Sequence, residues 1–416
     1  MKQSRYKSLE KQLSSSDYFC PYPWSHLEIR NDLSVGLCPC NCWLPESIGN
    51  LDDDASLYEI YNSEKAKLIR KSVLDGSFAF CDRKLCHLLQ LGLLPKKADI
   101  LSSKSMIWNH TEVSTPEIRD ILKYNLIKGF TPKFYQLNYD ESCNLSCPSC
   151  RSKVIKLDKG DDFQRKREAQ KKIFYQLSRE PLGKWAIVNA SGVGDPFASK
   201  LYFELLEKID GSRYPKLMIN FQTNGLLFNH HNWNRLHNIQ SNFNDIIVSC
   251  DAATAETYRI VRRGGSWSVL QKNLGFIAEL RKTRKIKGQF RLDYVVQKRN
   301  FHEMKAFVQM ANDLGVDAIT FHAVQPFFFQ SEFSSWDIYA DHAVWLPEHP
   351  DYHEYLKIMH DPIFEDDKID FEFMSPCRPK PTSLVSHRED ITIKDMVLDV
   401  RRRLKRLKRS ALGEIR

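Results

Sequence analysis

Residues 134–150 read Phe134-Tyr-Gln-Leu-Asn-Tyr-Asp-Glu-Ser-Cys143-Asn-Leu-Ser-Cys147-Pro-Ser-Cys150. The stretch begins as a strand, because Phe134, Leu137 and Tyr139 are apolar or aromatic in a short, near-alternating run. It then breaks into a loop with three cysteines spaced C-x3-C-x2-C. Thiols this close cannot bridge one another in useful disulfides, but three thiolates can converge on one soft metal centre. A cubane [4Fe–4S] cluster usually takes one Cys thiolate per iron, so three ligands leave one iron open. Catalytic metal sites likewise keep a coordination position free. A structural zinc knuckle and an ordinary ferredoxin-like site are the plainer uses of the same residues.

The chain has 416 residues, enough for two or more domains with cores of their own. Its hydrophobic content of 42% and charged content of 27% are those of a soluble globular protein. No run of apolar residues is long enough to span a bilayer, and residues 1–13 lack the apolar region of a signal peptide. The odd count of eleven cysteines, clustered rather than spread, points to a reducing cytoplasmic setting with metal sites. The net charge of +9 is concentrated in Arg401, Arg402, Arg403, Lys405, Arg406, Lys408 and Arg409. In that tail Val397, Val400, Leu404 and Leu407 recur at helical spacing, which predicts a basic amphipathic helix over 395–416. A solvated helix packed on the body is the plain reading; contact with nucleic acid or an anionic membrane surface is the functional one.

From 133 to 325 the pattern alternates strand and helix. Strands are expected at 134–140, 185–191, 217–223, 245–250, 289–297 and 317–323, with helices at 162–178, 197–209, 231–241, 267–283 and 301–314. This makes the chain an α/β protein with a parallel sheet. Its rounds are fewer than the eight of a closed barrel, so the expected form is an open (β/α)6 partial barrel. Ligands of such sheets sit at the C-terminal strand ends. There the second strand runs into Ser191-Gly-Val-Gly-Asp195-Pro, where Gly192 and Gly194 let a backbone approach a ligand and Asp195 supplies a carboxylate. The third strand ends at Gln222-Thr-Asn-Gly225. The fourth ends at Val248-Ser-Cys-Asp251, which puts Ser249 and Asp251 on one face and Cys250 on the other. Gln297 falls near the open end, and His322 reads as a structural histidine or a ligand neighbour.

Ahead of this repeat, after a polar arm (1–17), residues 18–90 hold Cys20, Cys38, Cys40, Cys42, Cys81 and Cys86. Two short strands turning at Asn31-Asp32 would bring Cys20 and Cys38 together, and Cys81 and Cys86 would close a four-thiolate shell. Leu33 occupies a turn position that glycine usually fills, which strains the hairpin. A connector follows at 91–132, with a helix expected over 116–127 capped by Thr115. Residues 326–394 are aromatic-rich and read as an irregular covering region, in which Cys377 stands alone.

The three-cysteine loop and the Gly192/Gly194/Asp195 turn together resemble the radical S-adenosylmethionine (radical SAM) superfamily. The resemblance implies a catalytic [4Fe–4S] cluster on Cys143, Cys147 and Cys150. It implies S-adenosylmethionine on the open iron, cleaved by one electron to a 5′-deoxyadenosyl radical that abstracts a substrate hydrogen. It also implies contacts to the methionine amino group from Gly192, Gly194 and Asp195, and contacts to the cofactor from Ser249 and Arg262. Asp195 stands where Glu is commoner, and Ser149 stands where an aromatic residue often packs on adenine.

Residues 18–90, from Cys20-Pro-Tyr-Pro-Trp24 through Ile48-Gly-Asn-Leu51, are similar to the SPASM/twitch module, although that module usually follows the radical domain. This similarity implies an auxiliary [4Fe–4S] cluster on Cys20, Cys38, Cys81 and Cys86; a zinc ribbon on the same ligands is the plain alternative. Cys40 and Cys42 stay open as a replacement ligand, a second centre or ordinary thiols. The implied substrate is a peptide or protein side chain that is oxidised or cross-linked, with an external donor such as a flavodoxin or ferredoxin. A sugar-like small molecule, dehydrogenated or epimerised, is the second expectation. A non-catalytic iron–sulfur or zinc protein holding nucleic acid by its basic tail is the third.

Overall fold

The computed structural model describes residues 17–83, 85–90, 92, 94–102, 115–179, 186–190, 192–324, 331–333 and 335–371. The basic tail, Cys377, Ser191 and residues 326–329 lie outside the described residues. The described chain forms two compact units. One comprises residues up to 141, 157–194 and 199–220; the other comprises 142–156, 195–198 and residues from 221 onward.

In the first unit the expected hairpin forms. Strands β1 (His26–Ile29) and β2 (Ser34–Gly36) pair antiparallel, with Ile29 opposite Val35, and β3 (Gly49–Asn50) adds to β2. The turn closes through Leu33 N–H donating to the Arg30 carbonyl at 2.9 Å, and the Asp32 carboxylate accepts from the Ser34 N–H and hydroxyl. Leu33 sits at φ +65° with its side chain fully buried, so the left-handed strain predicted from its identity is present and core burial offsets it. Helix Leu57–Tyr61 starts in a capping box between Ser56 and Glu59, and helix Glu64–Leu74 starts at the Ser63 cap. The second of these helices buries Arg70. Its guanidinium donates to the carbonyls of Pro23, Ile127 and Tyr61 at 2.9, 3.1 and 2.9 Å, binding three separate segments together.

Strand β1 also pairs in parallel with β4 (Phe134–Leu137), His26 opposite Phe134, and β4 pairs in parallel with β5 (Ala186–Ala190). The cysteine-rich stretch and the first strands of the repeat thus share one unit and one sheet, ordered β3-β2-β1-β4-β5. Strand β6 (Leu217–Thr223) passes from the first unit into the second.

In the second unit the strands run in the order β7 (Phe243–Ser249), β8 (Phe290–Val296), β9 (Ala318–Ala323) and β10 (Ile369–Asp370). The β7/β8, β8/β9 and β9/β10 pairs are parallel. Strands β4 to β9 are the six expected strands, in the expected α/β order. Along β8 the faces alternate: Tyr294 packs on Phe307 and Phe321, whereas Asp293 lies in a row with Ser249 and Thr320. Helix Met304–Leu314 ends on Gly315 at φ +69°.

Two expectations are corrected. Residues 331–371 are not irregular: they carry helices Trp336–His342 and Tyr352–Met359 and strand β10. A further helix, Ala255–Val261, precedes Trp267–Lys282; it starts at the Thr254 cap, where the Glu303 carboxylate accepts from Ala253 N–H and the Thr254 hydroxyl. No helix among the described residues is long and apolar enough to cross a membrane.

Replacing Arg70 by Met should leave three carbonyls without their donor. The expected loss is about 3 kcal/mol or more, at ~1 kcal/mol or more per buried unsatisfied group. The urea midpoint measures it, and a variant as stable as wild type would show that water satisfies those carbonyls.

Candidate functional site

The cysteine loop is built by backbone chemistry. Cys143 N–H donates to the Ile155 carbonyl at 2.8 Å, closing the loop's base. The Cys147 carbonyl accepts from both Cys150 N–H and Arg151 N–H at 2.9 Å. Pro148 takes the second position of that turn, where its fixed φ belongs. Leu145 is fully buried and anchors the loop, and Ser146 N–H donates to the Arg263 carbonyl. The same loop is held from a later segment, where Glu332 N–H donates to the Pro148 carbonyl and its carboxylate pairs with Arg263.

The three thiols are electrostatic neighbours of one another and of Arg151. Burial pushes the Cys143 thiol up to about 11 and raises Cys147 as well, so both are protonated until a metal displaces the proton. Each sulfur has an N–H donor beside it. Asn224 Nδ2 lies 3.7 Å from Cys143 Sγ, Arg262 Nη1 lies 3.8 Å from Cys147 Sγ, and Arg151 Nε and Nη2 lie 3.4 and 3.3 Å from Cys150 Sγ. Three soft, gathered thiols fit an iron–sulfur cluster in donor type.

Asp195 is tied into the loops at the strand ends. It is 1% exposed, and its carboxylate accepts from Phe197 N–H, the Thr223 hydroxyl and Asn224 N–H at 3.0, 2.8 and 2.8 Å. Its own N–H donates to the Ser142 carbonyl. Burial raises its pKa against those hydrogen bonds. The acid therefore ties strand-end loops together. Gly225 follows at φ +78°, where a Cβ would stand 2.9 Å from Leu270 and Val248 side-chain atoms, so only glycine fits. Gly192 is exposed and Gly194 half-buried in the turn after β5.

Arg262 lies beside the cysteine loop, and its guanidinium is engaged: Nη2 lies 2.8 Å from Asp251 Oδ2. Burial opposes its charge, yet Asp251 and Cys147 more than offset this and raise its pKa. Asp251 itself takes φ +61°, and its other oxygen accepts from Val295 N–H at 2.8 Å. The helix that follows starts at Thr254. Cys250 is a core thiol, bonded to the Ala252 carbonyl. Ser249 is half-buried in the Asp293–Thr320 row. His322 pairs with Asp293 at 3.2 Å, and Arg291 pairs with the same acid at 2.8 Å. Gln297 is fully buried, and neither its amide nitrogen nor its oxygen finds a partner among the described residues. Sequence reading missed the Asp251–Arg262 and Asp293–His322 pairings, since both join residues from separate elements.

In the first unit, Cys20, Cys38, Cys81 and Cys86 line one cavity, walled by apolar side chains including Trp43, Phe78 and Leu89. The four thiols face one another: Cys20 feels Cys81 and Cys86, and Cys38 feels the other three. Burial pushes Cys81 up to about 12 and Cys20 and Cys38 well above the usual thiol range. Cys40 and Cys42 are absent from that lining and interact with each other. Among the described residues no three His, Cys, Asp or Glu side chains are placed to hold a single metal ion.

No family model and no curated protein matches the sequence. Among solved structures the chain is similar to Streptococcus suis SuiB bound to precursor peptide SuiA, with 13% identity, 76% of this chain and 64% of that chain covered, and a TM-score of 0.42. It is also similar to native anSMEcpe with bound AdoMet, at 18% identity over 45% of this chain and 50% of that one, TM-score 0.32. A third is TYW1 with a lysine-pyruvate adduct bound, at 15% identity over 54% and 70%, TM-score 0.32. The chain thus spans less than two thirds of the length of SuiB.

Two outcomes follow from the buried ion pairs. Arg262→Met strands the Asp251 charge, so the variant should lose about 3–5 kcal/mol, and adding Asp251→Asn should restore part of it; a strictly additive double-mutant cycle would rule the coupling out. Burial works against the Asp293 charge, but His322 and Arg291 hold its carboxyl below the ordinary range. A depressed folded pKa gives stability that is present above the unfolded value of about 4 and lost as pH falls through the folded value. Asp293→Asn should flatten that acid limb in urea midpoints taken from about pH 7 down to about pH 3; equal acid slopes would contradict the assignment.

Proposed function

We propose that the chain is a radical SAM enzyme acting on a peptide or protein side chain, oxidising or cross-linking it after loss of a hydrogen atom. The observation that carries this reading is the convergence of Cys143, Cys147 and Cys150 in one closed loop following a parallel strand, each thiol beside an N–H donor. When bound there, a [4Fe–4S] cluster supplies one electron to the sulfonium of S-adenosylmethionine. The chain's own part is positioning. Asp195 and the Cys147–Cys150 turn hold the three thiols, Arg262 is fixed by Asp251, and Ser249 stands in the polar row of β7–β9 as a cofactor contact.

Cys20, Cys38, Cys81 and Cys86 are the ligands of an auxiliary [4Fe–4S] cluster. Their shared cavity, lined by all four thiols, supports this. Electrons come from an external flavodoxin- or ferredoxin-like donor, in the cytoplasm.

Anaerobic reconstitution tests both centres. Wild type should hold about eight irons per chain, and a Cys143→Ala/Cys147→Ala/Cys150→Ala variant about four. 5′-Deoxyadenosine should form from S-adenosylmethionine under reducing conditions only with wild type. Zinc without iron in the wild type would end the radical reading.

A further inference from the structure

The three thiols of Cys143, Cys147 and Cys150 do not share a common environment; each has a donor of its own. Asn224 serves Cys143, Arg262 serves Cys147 and Arg151 serves Cys150. These donors are fixed in place. The Asn224 amide also donates to Asn144 Oδ1 at 2.9 Å, while its oxygen accepts from Leu226 N–H at 3.0 Å. Asp251 pins Arg262 at 2.8 Å. Arg151 is 5% exposed, with Nε and Nη2 at 3.4 and 3.3 Å from Cys150 Sγ. We propose that Asn224, Arg262 and Arg151 are positioning residues that set the reduction potential of a cluster held by the three cysteines, one donor to each sulfur. This rests on the radical SAM reading above.

The physical reason lies in the direction of charge flow. Reduction of the cluster takes one electron from the donor, breaks no bond and moves no proton. The added negative charge spreads onto the sulfurs, where N–H groups and nearby cations stabilise it. The three residues should not count equally. Arg151 brings two N–H groups to one sulfur at 3.4 and 3.3 Å, nearer than Asn224 at 3.7 Å and Arg262 at 3.8 Å. The charge of Arg262 is balanced by Asp251. Asn224 is neutral. The expected order of influence is therefore Arg151 first, with Asn224 the weaker effect. Because Arg262 also supports the fold through Asp251, Arg151 and Asn224 carry the test.

Wild type, Arg151→Met, Arg151→Lys and Asn224→Ala are reconstituted anaerobically and poised at a series of potentials. The reduced-cluster electron paramagnetic resonance signal is read at each, with the spectrum of the Cys143→Ala/Cys147→Ala/Cys150→Ala protein subtracted. At the wild-type midpoint, Arg151→Met should show about a tenfold lower reduced-to-oxidised ratio, equivalent to about 59 mV for a one-electron couple. Arg151→Lys should recover part of the shift, and Asn224→Ala should shift less than Arg151→Met. Midpoints equal to wild type overturn the proposal. So does a lower iron content with an unshifted midpoint in the clusters that remain, the mark of a purely structural role. If Arg151→Met holds no cluster, Arg151→Lys and Asn224→Ala decide by the same criterion. A wild type with no redox-active iron signal at the three cysteines refutes the radical SAM reading itself, and the proposal with it.

Discussion

One buried carboxylate organises the cysteine end of the second unit. Asp195 receives the Thr223 hydroxyl and the Asn224 N–H on one oxygen and Phe197 N–H on the other, while its own N–H reaches the Ser142 carbonyl. The turns after β5 and β6 and the start of the cysteine loop therefore meet at one residue. Removing this carboxylate from water costs free energy, and those hydrogen bonds offset the cost. Everything built on the site inherits that geometry. Asn224, held through its backbone by Asp195, is the residue whose side chain lies beside Cys143.

The neighbouring charges follow the same logic. Asp251 adopts a left-handed backbone that costs about 1–3 kcal/mol for a residue other than glycine. It persists because Arg262, Val295 and Asn300 all engage it, the last by donating to its carbonyl. A buried ion pair adds little net stability over an apolar substitute, but it fixes orientation. Here the orientation fixed is that of a guanidinium beside Cys147.

Much of this was legible in the sequence. The six strands and the helices between them follow from period-2 and helical patterns sustained over whole elements, and their order in the sheet follows from alternation. The left-handed Leu33 was readable as the wrong residue type for its turn, and the facing of Cys20 and Cys38 follows from the hairpin that turn closes. Helix Ala255–Val261 was hidden because Glu303, from a distant segment, supports its start. The short helices of 331–371 carry too few turns for their aromatic residues to show a period. Asp195 was identified as important for its carboxylate, but sequence could not reveal that its partners would be Thr223 and Asn224. Arg151 directly follows Cys150, so its place beside the thiol was available to a reader who asked what flanks the last cysteine.

The pairing of β1 with β4 has a practical side. Four residues of the cysteine-rich stretch, His26 to Ile29, cover one edge of β4 in register, and β2 covers β1 in turn. A shortened version of the protein starting just before Phe134 would expose a run of unpaired backbone N–H and C=O groups on a strand carrying Tyr135 and Leu137. Such an edge recruits other chains into edge-to-edge association. The α/β repeat is therefore not a portable part of this molecule: cut away from what precedes it, it should tend to aggregate rather than stand alone.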